Sequence, residues 1–160
     1  MIIKKLHDDF GISIEKIDVN YLSAIEKKEI IDLFDEHSLI VIKKQKINEQ
    51  EQVNFTKIFG ELEITKPGTL GTNSNLVILT NIDENGNIVD TNHKQSKNDR
   101  ANQQWHSDSS FKIRPAHASI LSGKQVPKEG GNTEFVSMRV VYKNLQKDIQ
   151  EKVLNLEAVH

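Results

Sequence analysis

The sequence predicts an α+β domain, because runs rich in aliphatic and β-branched residues alternate with segments of helical apolar spacing, and turn signals separate the two. The clearest strand runs are Ser38-Leu39-Ile40-Val41-Ile42-Lys43 and Leu76-Val77-Ile78-Leu79-Thr80, while helical patterns begin at Ser23, Asn48 and Met138. At 160 residues the chain fits one domain with a core of its own.

Residues 2–18 alternate irregularly around Phe10-Gly11 and read as one or two short strands with a turn at the glycine. From Ser23, residues Ile25, Ile30, Ile31, Leu33 and Phe34 recur near helical spacing among charged neighbours, so an amphipathic helix should pack on the sheet. Ser23 with Glu26 three residues later fits a capping box. The run 38–43 should be a buried strand. Asn48 caps a second helix, with Val53, Phe55, Ile58 and Phe59 as its apolar face and Gly60 as its stop. Residues 76–80 form another expected buried strand, and Asp83-Glu84-Asn85-Gly86-Asn87 is a strong turn signal before Ile88-Val89. The polar stretch 90–103 lacks periodicity and reads as a loop, either a functional lid or a solvated connector. Residues 116–122 alternate as an antiparallel strand, 127–131 form a turn, and 132–136 resume extended structure. Residues 138–156 give one longer helix or two short ones.

A formal net charge of −2 gives no global pull toward nucleic acid or an anionic membrane. Cysteine is absent, so a metal would have to sit on His, Asp or Glu, a donor set that suits iron(II) better than a structural zinc. No apolar run approaches the roughly 18 residues of a membrane span, and the start of the chain lacks a signal-peptide core, so the expectation is a soluble cytoplasmic protein, with a homo-oligomer compatible with the composition.

The chemistry centres on Asn102-Gln103-Gln104-Trp105-His106-Ser107-Asp108-Ser109-Ser110-Phe111. If this stretch is a strand, His106 and Asp108 leave the same face about 6 to 7 Å apart along it. One imidazole and one carboxylate are two of the three ligands of the facial triad with which non-haem iron(II) enzymes leave positions open for substrate and dioxygen. Alone, His-x-Asp is as readily a surface hydrogen-bonded pair. By parity Trp105 and Phe111 point away from the shared face, into packing.

The same stretch, followed by Arg114-Pro115-Ala116 and then Val126-Pro127-Lys128-Glu129-Gly130-Gly131-Asn132-Thr133-Glu134-Phe135, resembles the taurine dioxygenase and 2,4-dichlorophenoxyacetate dioxygenase family of iron(II)/2-oxoglutarate oxygenases. Phe59-Gly60-Glu61-Leu62 also resembles the Phe-Gly-x-Leu of that family, and the likeness is greater to its aryloxyacetate branch. The resemblance implies a double-stranded β-helix (jelly-roll, clavaminate synthase-like) core with flanking helices. Residues 1–160 would be the N-terminal portion of a single such domain, incomplete at the C-terminus.

It further implies that His106 and Asp108 bind iron(II), that 2-oxoglutarate and dioxygen are co-substrates with ascorbate in support, and that succinate and carbon dioxide are released as a substrate is hydroxylated. Related halogenases replace the carboxylate by a small residue, so Asp108 points to hydroxylation. Thr133 resembles the family threonine that donates to a 2-oxoglutarate carboxylate, a role a hydroxyl suits, although a threonine here would equally serve a strand. Asn102 lies where taurine dioxygenase has a substrate-pocket asparagine. A small anionic organic substrate needs a cationic anchor, for which Lys66, Lys94, Lys97 and Arg100 are candidates. Glu63-Ile64-Thr65-Lys66 lacks the sulfonate-holding histidine of taurine dioxygenase, which disfavours taurine itself.

The family's second ligand histidine and its 2-oxoglutarate-binding arginine have no matching position, and the segment containing His160 resembles one that precedes the distal ligand. The isolated chain is therefore expected to bind iron(II) weakly and turn over little. Two other readings stay open: a non-catalytic jelly-roll binding module with a vestigial metal pair, and zinc-assisted hydrolysis, which lacks an evident general base.

Overall fold

A computed structural model describes residues 1–64, 75–83, 85–89, 103–157 and 159. It divides into two compact units: Met1–Ile58 with Leu121–His160, and Phe59–Ile120. The expected lid, 90–103, and the substrate candidates Lys66, Lys94, Lys97, Arg100 and Asn102 lie outside the described residues, apart from Gln103.

The first unit is built on a three-stranded sheet of order β1-β2-β3, with β1 at Ile2–Lys5, β2 at Ile12–Glu15 and β3 at Ile40–Ile42. Strands β1 and β2 pair antiparallel with Ile3 opposite Ile14, while β2 and β3 pair parallel with Ile12 opposite Ile40. Gly11 makes the turn into β2 at φ +82, a left-handed conformation that a side chain disfavours. Its N–H donates to the His37 carbonyl and its own carbonyl accepts from Leu6 N–H. Central β2 is hidden on both faces: Ile12, Ser13 and Ile14 are buried.

Parallel pairing of β2 and β3 requires a crossover, supplied by α1 at Ala24–His37. The Ser23–Glu26 capping box forms as expected, and Ser38 ends the helix in the left-handed conformation at φ 63. Ile30 is fully buried, whereas Ile25 is exposed and lies off the packed face. The expectation that 38–43 is a buried strand needs correction. Among the described residues β3 lies at the edge of the sheet, half-buried, with Val41 exposed, because β2 alone of these pairs with it. Gln45 staples the segment that follows: its amide oxygen accepts from Val19 N–H at 3.1 Å and its amide nitrogen donates to the carbonyls of Ile17 and Lys43.

Helix α2, Glu49–Thr56, starts at Asn48, whose side chain and Glu51 form a second capping box; Val53 and Phe55 are buried. Later in the same unit come α3, Met138–Asn144, and α4, Lys147–Val153, the two-helix form of the 138–156 pattern. Arg139 ties α3 to the end of α1 by donating to the Asp35 carbonyl, at 3.1 Å, and to the Ser38 hydroxyl. Among the described residues no helix is long and apolar enough to cross a membrane.

In the second unit the turn at 83–87 is present. Asp83 accepts from the N–H groups of Asn85 and Asn87, and an isolated bridge joins Ile82 to Ile88. These donors, Asn87 first, hold the Asp83 carboxyl below its ordinary value. Three further strand expectations are not met. Residues 76–80, 116–122 and 132–136 are described without a regular strand, and Val77, Ile78, Leu79, Leu121 and Phe135 are exposed. β-Propensity becomes a regular strand only where a neighbouring backbone completes the ladder, so composition alone does not secure one. The α+β class thus holds, while the described residues do not assemble a double-stranded β-helix.

Candidate metal centre

His106 and Asp108 belong to the second unit, and the segment carrying them is not a strand. After Trp105-His106-Ser107 the chain turns at Asp108 through Phe111, with Ser109 in the left-handed region at φ 57 and Lys112 N–H donating to the Ser109 carbonyl at 2.9 Å. The strand-face explanation is therefore corrected, and the two side chains are nonetheless close. His106 Nε2 and Asp108 Oδ1 stand 3.4 Å apart. Parity fails for Trp105 and Phe111 as well: both are exposed.

Each member of the pair is oriented by an outer partner. His106 Nδ1 lies 2.7 Å from the Gln104 carbonyl oxygen, which can only accept, so this ring nitrogen carries the proton. In the neutral ring, Nε2 is then a bare lone pair directed at a carboxylate oxygen. On the other side of Asp108, Ser119 Oγ donates to Oδ2 at 2.6 Å. Two acceptors facing each other at 3.4 Å repel unless a cation or a proton lies between them. The spacing is close to the roughly 3 Å kept by two adjacent ligands of one divalent ion, and a ligand imidazole fixed through its far N–H is the usual companion of such an ion. The donor set thus fits iron(II) or a similar ion. Among the described residues no group of three His, Asp or Glu side chains gathers round a common point.

Glu63 supports the turn just beyond Asp108. Its Oε2 accepts from Lys112 Nζ at 2.7 Å and from Ser109 Oγ at 3.1 Å. The lysine contact above all, and the serine contact after it, hold the Glu63 carboxyl below its ordinary value against desolvation and the opposing Asp108 charge. Ser119, Gln104, Glu63 and Lys112 were not singled out as site residues from the sequence. The sequence marks Glu63 only by the histidine missing from its neighbourhood, and Ser119 sits in the alternating run 116–122, 11 residues from its partner Asp108.

Thr133 lies in the first unit, exposed, in an irregular segment after Gly130 and Gly131, both at positive φ as the expected turn requires. His160 and His93 lie outside the described residues; His7 and His37 stand near Asp9 and Glu36 respectively, each at 3.8 Å, within the first unit.

The family model described as "Taurine catabolism dioxygenase TauD, TfdA family" matches residues 3–160. The chain belongs to this family. It is 33% identical over its whole length to the alpha-ketoglutarate-dependent 2,4-dichlorophenoxyacetate dioxygenase of Cupriavidus pinatubonensis, of which it covers 58%. It is 30% identical, over 87% of its length, to the enzyme of the same name from a Burkholderia species, covering 48% of it. The crystal structure of AAD-2 in complex with Mn(II) and N-oxalylglycine superposes with a TM-score of 0.81 at 27% identity, over 97% of this chain and 54% of that one. The chain thus spans about half the length of the curated relatives it matches.

The family is enzymatic, and its alpha-ketoglutarate-dependent dioxygenases use iron(II), 2-oxoglutarate and dioxygen. The Mn(II) and N-oxalylglycine present in the AAD-2 complex are consistent with a metal and 2-oxoglutarate site in this family.

Proposed function

We propose that the chain provides the iron(II)-binding part of a 2-oxoglutarate-dependent dioxygenase that hydroxylates a small anionic organic molecule, an aryloxyacetate or a related carboxylate or sulfonate. The observation that supports this reading best is the 3.4 Å approach of His106 Nε2 to Asp108 Oδ1, with each side chain fixed from behind by Gln104 or Ser119. When bound, iron(II) supplies the centre at which 2-oxoglutarate is oxidatively decarboxylated by dioxygen and a substrate carbon is hydroxylated, with succinate and carbon dioxide released. His106 contributes a neutral nitrogen donor in a set tautomer, and Asp108 a charge that offsets the metal's.

Thr133 is proposed to donate its hydroxyl to a 2-oxoglutarate carboxylate, and Asn102, Lys66, Lys94 and Arg100 to contact the substrate, the cations pairing with its anionic group. The jelly-roll core, a third iron ligand and a 2-oxoglutarate-binding arginine are proposed to be completed by sequence outside these 160 residues. Support comes from the two-ligand pair and the roughly half-length match to the relatives. The lack of a third ligand among the described residues also favours a second reading, a non-catalytic module that keeps the pair.

Anaerobic titration separates the two. Addition of 2-oxoglutarate to the iron(II)-loaded chain should raise a weak visible charge-transfer band that neither component gives alone. Iron binding with no such band at saturating 2-oxoglutarate would decide for the module.

A further inference from the structure

We propose that Ser119 is a positioning residue for the metal, acting through Asp108, an inference that rests on the iron-binding reading above. A free carboxylate can offer a divalent ion one oxygen or both, and it rotates about its last bond at little cost. Here that freedom is removed. Ser119 Oγ donates to Oδ2 at 2.6 Å, the short distance of a charge-assisted bond, so Oδ2 is engaged by the serine. Oδ1 is left facing His106 Nε2 at 3.4 Å.

The serine thus fixes which oxygen faces the ion and limits Asp108 to one-oxygen ligation. One-oxygen ligation matters to a centre that must keep positions open, because a two-oxygen carboxylate would occupy one more of them. The bond also crosses between two separated segments: Ser119 lies 11 residues beyond Asp108 and past the turn that Glu63 clamps. Ser119 and Asp108 are both exposed, so water competes for Oδ2, and the effect belongs near the low end of the range seen when an outer partner of a metal ligand is removed. Loss of the hydroxyl should therefore weaken the metal about tenfold.

The test is Mn(II) affinity of the full 160-residue chain, read from the electron paramagnetic resonance signal of the free ion, with thermal unfolding of the metal-free protein in parallel. Ser119→Ala should bind Mn(II) about tenfold more weakly, Ser119→Thr, which keeps the hydroxyl, within about twofold of the parent, and all three metal-free proteins should unfold together. Equal affinity of Ser119→Ala and the parent overturns the inference. So does a weakened Ser119→Ala that Ser119→Thr fails to restore and whose metal-free form unfolds early, which assigns the hydroxyl to packing alone. Asp108→Ala separates the two levels of the reading: if the parent binds Mn(II) no better than Asp108→Ala, the metal centre itself falls and the role of Ser119 with it.

Discussion

Replacing Glu63 by Gln removes one charge while keeping the side chain's shape, and it acts on the turn that follows Asp108. In the native chain Glu63 Oε2 receives Lys112 Nζ at 2.7 Å and Ser109 Oγ at 3.1 Å. The turn needs this support because Ser109 sits at φ 57, where an L-residue other than glycine is held against its preference. The Lys112 and Glu63 side chains are 36% and 41% exposed, so solvent screens the pair heavily and it contributes only about 0.5 kcal/mol. Weakening of the charge-assisted serine bond adds a similar amount, for a total of about 1 kcal/mol. That corresponds to roughly a fivefold rise in local opening.

Hydrogen exchange at the Lys112 amide, which donates to the Ser109 carbonyl, reads this opening directly. Glu63→Gln should lower its protection about fivefold while amides of β2 are unchanged. The pH dependence has a definite sign. The folded state lowers the Glu63 value below its ordinary 4.5, so the stabilisation is complete above 4.5 and is lost as pH falls through the lower folded value. Protection of the Lys112 amide, corrected for intrinsic exchange, should therefore decline on acidification in the parent and stay flat in Glu63→Gln. Equal protection in the two proteins at neutral pH would refute the clamp.

Ile30→Ala should cost about 2 to 5 kcal/mol, since the side chain is fully buried where α1 covers the sheet, and a urea midpoint shifted by less than 1 kcal/mol equivalent would show that α1 is not packed there. Gly11→Ala should cost about 1 to 2 kcal/mol in the same assay, because φ is +82 and the added methyl would also meet Leu39 Cδ2 at 3.4 Å; unchanged stability would mean the turn into β2 is made differently.

Local signals were legible where the structure they specify is itself local. Ser23 with Glu26, Asn48 before its helix, and the Asp83 turn all involve hydrogen bonds spanning four residues or fewer, and each forms. Glycines at 11, 130 and 131 likewise mark backbone at positive φ. Strand runs were read less well, because their composition reports a preference while the ladder depends on a partner remote in sequence. Ile40–Ile42 pairs with β2, whereas 76–80 form no regular strand among the described residues and leave Leu79 exposed.

The same distinction divides the site. His106 and Asp108 sit two positions apart and are identifiable as a pair, yet the turn that follows Asp108 is clamped by Glu63, 46 residues before Ser109. Ser119 reaches Asp108 from 11 residues away. Gln45, which links three backbone groups from an otherwise unremarked polar stretch, is a further example of a contact that no periodicity announces.

His106 and Asp108 are proposed to hold a divalent iron ion together. Anaerobic calorimetry of iron(II) binding to the parent chain, His106→Ala and Asp108→Ala tests it most directly. Weak one-to-one binding by the parent that disappears in both variants is the expected result. Undiminished binding in either variant, with the protein still folded, would contradict it.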